Sequence, residues 1–206
     1  MRTLWLASAS PRRKELLESV GVQVHVMPAA VDEGLRADEG PEAYARRLAD
    51  AKAEAVARRA DAPPGALVLG ADTVVVTGAM EVLGKPQDAA DARRMLEALA
   101  GRTHMVLTAY SLWEAGGAPG LARLRETAVV RTDVEVRPMR PAEIDGYLAT
   151  GEWRDKAGAY AVQGVYAAFV RALHGAWANV VGLPLCEVVE ALARAGATWP
   201  PVPEAQ

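Results

Sequence analysis

Cysteine is nearly absent from this 206-residue chain: Cys186 stands alone, which excludes an internal disulfide framework and any multi-cysteine zinc site. Basic residues do not exceed acidic ones. The 23 Lys and Arg against 26 Asp and Glu leave a net charge of −3, the opposite of the basic excess of a general nucleic-acid binder. No stretch approaches the roughly 20 apolar residues a membrane-spanning helix needs. The segment Met1–Ser8 carries one early charge and no apolar region of signal-peptide length. We therefore expect a soluble cytoplasmic protein without nucleic-acid or membrane partners. Lysine is also scarce, since only four of the 23 basic residues are lysine: Lys14, Lys52, Lys85 and Lys156.

Hydrophobic residues make up 51% and charged residues 24%, enough to bury a sizeable core without disulfide or metal support. Apolar β-branched runs alternate with helical stretches, the pattern of an α/β fold. Strands are expected at Thr3–Ala7, Val22–Met27 and Leu67–Val76, with a short segment at Glu81–Leu83. Helices are expected at Pro11–Ser19 and from Pro41 to about Ala60, each opened by a first-turn proline. Asp88 is placed to cap a helix reaching about Leu99. His104–Trp113 and Arg123–Arg137, joined by a glycine-rich turn, read as an antiparallel hairpin. A helix from Pro141 to about Ala149, a small-residue stretch Gly151–Gly164, a strand Tyr166–Leu173 and a helix Pro184–Ala195 complete the pattern. There is no internal repeat and no long linker, so residues 1–197 read as one α/β domain and 198–206 as a proline-rich tail.

Several segments carry chemistry. In Ser8-Ala9-Ser10-Pro11-Arg12-Arg13 a strand gives way to a helix with two arginines in its first turn. Cations there oppose the helix dipole, so the arrangement suits a bound anion that the N–H groups, hydroxyls and guanidinium groups share; the alternative is a solvated helix start. Asp72 interrupts the apolar run Leu67–Val76. A buried carboxylate there needs a cation, a metal or several donors, and the alternative is a structural aspartate at a bulge. Gly70 would let another backbone or a ligand come close. Lys52 falls on the apolar stripe of its helix with Leu48 and Val56, whereas Arg46, Arg47, Asp50, Glu54 and Arg58 populate the other side; snorkelling to the rim is the alternative. Lys85 and Lys156 lie in tight loops, where compact point charges suit phosphate oxygens.

Val31-Asp32-Glu33 adds two carboxylates, one of which, with Asp72 and substrate phosphate, makes an oxygen set for Mg²⁺; the alternative is a solvated acidic turn. Gln163 can read a base edge or cap a loop. His25, His104 and His174 lack ligand spacing and are expected to be structural, and Cys186, within apolar Leu183–Val189, to be an inert buried thiol. No Walker loop is present, because Gly84-Lys85 is followed by Pro86. Neither a Gly-x-Gly-x-x-Gly fingerprint nor a Gly-x-Ser-x-Gly elbow occurs.

In order along the chain, these segments together with Gly101-x-Thr103-His104, Asp155-Lys156-Ala157-Gly158-x-Tyr160-x-Val162-Gln163-Gly164 and Asn179-Val180-Val181-Gly182-Leu183-Pro184 resemble the Maf family of nucleoside triphosphate pyrophosphatases. The resemblance implies a mixed α/β fold similar to the inosine triphosphate pyrophosphatases, with a central mixed sheet, flanking helices and two lobes around a nucleotide cleft. It implies hydrolysis of a nucleoside triphosphate to monophosphate and pyrophosphate with a divalent cation (Mg or Mn), and a homodimer. Asp72 matches the proton acceptor. Ser8, Arg13, Glu33, Lys52 and Lys85 match positions at the phosphate end, with Lys52 and Lys85 expected to act in catalysis and Glu33 to hold the metal. Arg12, Thr73 and Gln163 match positions that separate subfamilies and resemble the dTTP/UTP group, and Lys156 is expected to bind substrate. Two alternative readings are a 7-methyl-GTP pyrophosphatase and a nucleotide-binding regulator of cell division with weak or no hydrolysis. Trp153 departs from the family pattern, in which proline often follows Gly-Glu.

Overall fold

The protein is described by a computed structural model covering residues 4–59, 61–118 and 120–197. The proline-rich tail expected at 198–206 lies outside the described residues, as do Thr3 and Ala60 at the expected ends of the first strand and second helix. In chain order the elements are β1 (Leu4–Leu6), α1 (Pro11–Ser19), β2 (Val24–Val26), α2 (Pro41–Ala57), β3 (Leu67–Val76), β4 (Val82–Leu83), α3 (Ala89–Leu99), β5 (Thr103–Ala115), β6 (Ala122–Val136), α4 (Pro141–Thr150), β7 (Val170–His174), α5 (Trp177–Val181) and α6 (Leu185–Arg194). Hydrogen-bonded neighbours run β2-β1-β3-β5-β6-β7, with β4 paired to β3. Pairing is parallel for β1 with β2 and β3, and antiparallel for β3 with β4 and β6 with β7. The mixed sheet with helices that the sequence led us to expect is therefore the fold observed.

Local chemistry sets most boundaries. Pro11 and Pro41 open α1 and α2, since proline lacks the N–H that a first turn leaves unpaired. Asp88 accepts the Asp91 N–H at 2.8 Å and caps α3. Ser10 holds the N-cap position of α1 but makes no side-chain cap bond. Two stretches depart from expectation. Gly164–Phe169 forms 3₁₀ turns, and the strand begins only at Val170. Tyr166 and Phe169 are buried by these turns, which place apolar side chains three residues apart on one face. The helix α5 escapes sequence inspection because its five residues are too few to show a period.

The chain divides into two compact units: residues 1–72, 108–129 and 182–206, and residues 73–107 and 130–181. In the first, Ala7, Ala53, Val56, Ala57, Val68 and Trp113 form a buried cluster between α2 and the sheet. Small side chains on α2 let that helix lie close to β3. In the second, Tyr147, Tyr160, Tyr166 and Phe169 stack in tilted and edge-on pairs with centroids between 4.5 and 6.5 Å apart. Buried Asn179 of α5 donates to the Val130 carbonyl and to Thr132 Oγ1, each at 3.1 Å. Among the described residues no helix is long and apolar enough to cross a membrane.

Candidate active site

β1 ends at Leu6, and Ala7 N–H still bonds to the Leu69 carbonyl of β3 at 2.8 Å. Buried Ser8 therefore emerges beside β3. The Ser8 hydroxyl accepts from the Ser10 N–H at 3.2 Å and from Arg13 Nη1 at 3.0 Å. Arg13 Nε donates to the Gly182 carbonyl at 2.8 Å. These bonds turn the Arg13 guanidinium back onto the protein, which accounts for one of the two cations at the start of α1. Burial lowers the Arg13 pKa from its ordinary value; the Asp72 carboxylate raises it, the neighbouring Arg12 charge lowers it and Glu33 raises it. Arg12 is also lowered by burial, against the pull of Glu15.

The centre of this region is an ionic triad. Lys52, on the buried stripe of α2, is 8% exposed. Its ammonium lies 2.7 Å from Asp72 Oδ1 and 2.6 Å from Glu33 Oε1. The expectation that Asp72 needs a cation is met, and Lys52 extends to two carboxylates rather than to open solvent. The Lys52 and Asp72 side chains are only 11% and 14% exposed, so this pair is largely shielded from water, whereas the Glu33 side chain is half exposed. Ser8, Arg13, Glu33, Lys52 and Asp72 are thus assembled within the first unit, with Arg12 adjoining Arg13. Tyr44 belongs to the same surroundings: its phenol pKa is raised by burial, then by Asp72 and Glu33.

The second unit holds the other expected positions. Thr73 follows Asp72 on β3, so its side chain leaves the opposite face of the strand. The Gly158 N–H donates to the Gly84 carbonyl at 3.0 Å, joining the loop of Lys85 to that of Lys156. A β-carbon on Gly158, whose φ is +67°, would stand 2.9 Å from Val75 Cγ1, so both conformation and space call for glycine there. Lys85 is exposed, Lys156 is half-buried with its ammonium donating to the Arg154 carbonyl at 3.1 Å, and Gln163 is exposed. Trp153 is an anchor for this loop: its indole N–H bonds to the Leu148 carbonyl at 3.0 Å, and Arg154 lies 4.9 Å over its ring.

Several side chains lie where the sequence pattern does not put them. Cys186 is exposed, not buried: α6 turns Val188, Val189, Ala191 and Leu192 inward, which leaves Cys186 on the outer face with Glu190 one turn away. Arg47 does not face water with its neighbours; its side chain is 17% exposed and packs on the loop that carries Glu33. Sequence inspection gives Gly182, Tyr44 and Arg47 no role at the site. Tyr44 and Arg47 are three apart on one helix, a spacing that marks a shared face, but nothing local says that a loop rests there. His104 is buried and bonded to Tyr160 through Nε2 at 2.8 Å, the structural role expected of it.

Glu33 and Asp72 also bear on a metal. No group of three or more His, Cys, Asp or Glu is placed to hold one among the described residues. The Glu33 and Asp72 oxygens converge on the Lys52 ammonium, at 2.6 and 2.7 Å, so the cation these two carboxylates hold in this structure is the lysine.

The family model described as Maf-like protein matches residues 3–195. This chain belongs to the Maf family. Relatives span nearly the full Maf chain. A dTTP/UTP pyrophosphatase of an Anaeromyxobacter species is 52% identical over 197 residues, covering 96% of this chain and 91% of the relative. One from Geotalea uraniireducens is 50% identical over 192 residues, 93% and 94% of the two chains. Among solved structures, a HAM1 protein from Coxiella burnetii aligns with 94% of this chain and 100% of its own at 15% identity, with a TM-score of 0.47.

Proposed function

We propose that this Maf protein hydrolyses dTTP and UTP to the monophosphate and pyrophosphate. The observation that carries the reading is the Lys52 ammonium held between Asp72 and Glu33, in a chain about half identical to relatives named dTTP/UTP pyrophosphatase. A water oxygen bonds to the α-phosphorus as the bond from that phosphorus to the bridging oxygen of the β-phosphate breaks. Pyrophosphate leaves, and the water's proton passes to Asp72. Arg12, Arg13 and the N–H groups opening α1 bind triphosphate oxygens. Lys52 orients the Asp72 carboxylate and, with Lys85, offsets charge that grows on the phosphates, which is the main protein contribution to phosphoryl chemistry. Lys156 binds substrate, and Thr73 and Gln163 select the pyrimidine base.

Glu33, with Asp72, would hold a divalent cation, which polarises phosphate oxygens and neutralises their charge when bound. A homodimer, which rests on the family resemblance, and a cytoplasmic setting, which rests on the sequence reading, belong to the same proposal. The deciding experiment is pyrophosphate release from dTTP, UTP, CTP and 7-methyl-GTP with Mg²⁺ or Mn²⁺. Preference for dTTP and UTP is expected. Preference for 7-methyl-GTP overturns the substrate assignment, and release from none overturns the activity.

A further inference from the structure

Glu33 sits in residues 28–40, a stretch with no helix or strand between β2 and α2. Its side chain is 50% exposed. Nothing in such a segment holds a carboxylate at one position by itself, because each residue left free to sample other backbone wells resists ordering by about 1–2 kcal/mol. Yet the Glu33 carboxylate meets Lys52 at 2.6 Å. The source of that order is on α2.

Three consecutive carbonyls, those of Asp32, Glu33 and Gly34, are each held by a side chain of α2. Arg47 Nη1 donates to the Asp32 carbonyl at 3.3 Å, the Tyr44 hydroxyl to the Glu33 carbonyl at 2.7 Å, and Arg47 Nη2 to the Gly34 carbonyl at 2.8 Å. The guanidinium is itself fixed. Its Nε and Nη2 form a fork on the Glu39 carboxylate at 2.7 and 2.8 Å, and its carbon lies 5.5 Å over the Tyr44 ring. Glu39 closes the same loop, accepting from the Arg36 N–H at 3.4 Å. The Asp32 carboxylate tightens the turn by accepting the Gly34 N–H at 2.9 Å. A planar fork with donors on both edges can do this and a lysine cannot.

We propose that Tyr44 and Arg47 are positioning residues, a clamp that delivers the Glu33 carboxylate to Lys52 and so completes the charge set used on the substrate. The clamp rests on the function proposed above only for its kinetic consequence. Neither residue touches the reacting atoms; both act through the backbone on either side of Glu33.

The test is a double-mutant cycle. Pyrophosphate release from dTTP is compared for the wild type, Arg47→Met, Glu33→Gln and the double variant. Arg47→Met is expected to lower kcat by about 10- to 100-fold, the usual cost of losing a group that orients a functional one, with a smaller change in KM. In the Glu33→Gln background the same substitution is expected to cost less than about twofold, because Glu33 is then no longer there to be positioned. Equal losses in both backgrounds overturn the clamp. Tyr44→Phe keeps the ring and removes one hydroxyl, so it serves if Arg47→Met does not fold; an unchanged kcat in both Tyr44→Phe and Arg47→Lys also overturns it. A second readout needs no activity. Backbone ¹⁵N order parameters of residues 32–35 should fall from the rigid range near 0.85 toward the flexible range below about 0.6 in Arg47→Met or Tyr44→Phe, and unchanged values overturn the clamp. A wild type that releases no pyrophosphate refutes the proposed function, and the order parameters then decide the clamp alone.

Discussion

Gly70 lies directly against Ala53. A β-carbon on Gly70 would stand 2.7 Å from the Ala53 backbone nitrogen and 2.9 Å from its methyl group, and closer still to the Ala49 carbonyl. Helix α2 and strand β3 are therefore in backbone contact at this point. Lys52 adjoins Ala53, and Asp72 lies two residues beyond Gly70 on the same face of the strand. The close approach brings an ammonium and a carboxylate from distant parts of the chain to 2.7 Å.

Gly70→Ala should accordingly do two things. The helix must move, at a cost of about 1–3 kcal/mol for an overpacked core site, and Lys52 moves with it. Chemical denaturation should show a lower midpoint with an unchanged slope, and kcat should fall in the fraction that remains folded. A variant with wild-type stability would show that the two backbones have room to spare.

Asp72→Asn should lower kcat by roughly 10²–10⁴, the usual worth of a positioned base, while leaving the fold intact. Lys52 still has Glu33 in that variant. Lys52→Met removes the cation from both carboxylates at once, so it should reduce activity and also destabilise the protein more than Asp72→Asn does. Paired kinetic and thermal-melt measurements check the order of the two effects.

Lys85 is exposed, and Lys85→Met should change stability by no more than about 0.5 kcal/mol. A loss of kcat/KM at unaltered melting temperature is the expected signature of a cation that serves the substrate and not the fold. Unfolding of this variant would mark Lys85 as structural instead.

Burial pushes the His104 imidazole down from 6.5 to about 4, opposed by the Asp133 charge. The unfolded chain takes up the proton first as pH falls. Stability from neutral His104 is therefore fully present above pH 6.5 and is lost between there and pH 4, amounting to about 3 kcal/mol at roughly 1.4 kcal/mol per pH unit. Denaturation midpoints measured from pH 7 to pH 4 should decline, and His104→Gln should flatten that decline. An equal slope in the variant would assign the pH dependence to other groups.

Much of the fold is legible in the order of residues alone. The run Leu67–Val76 and the proline-opened helix Pro11–Ser19 have the observed limits, because a continuous apolar run and a first-turn proline act within a few residues. Asp72 and Lys52 stand out for the same local reason, each being a charge on an apolar face. Cys186 goes the other way, since an apolar neighbourhood in sequence says nothing about which side of a helix meets the core.

The sequence by itself determined the residue inventory, the alternation of strands and helices and the family to which the chain belongs, since these depend on spacing and order. Only the tertiary structure decided that Lys52 bridges Asp72 and Glu33, that Arg13 turns back to Ser8 and Gly182, and that Tyr44 and Arg47 hold the Glu33 loop. Those pairings join residues from 5 to 169 positions apart, and the one between Lys52 and Asp72 depends on how closely one backbone can approach another. That is a property of the packed chain, and at Gly70 it turns on the absence of a single methyl group.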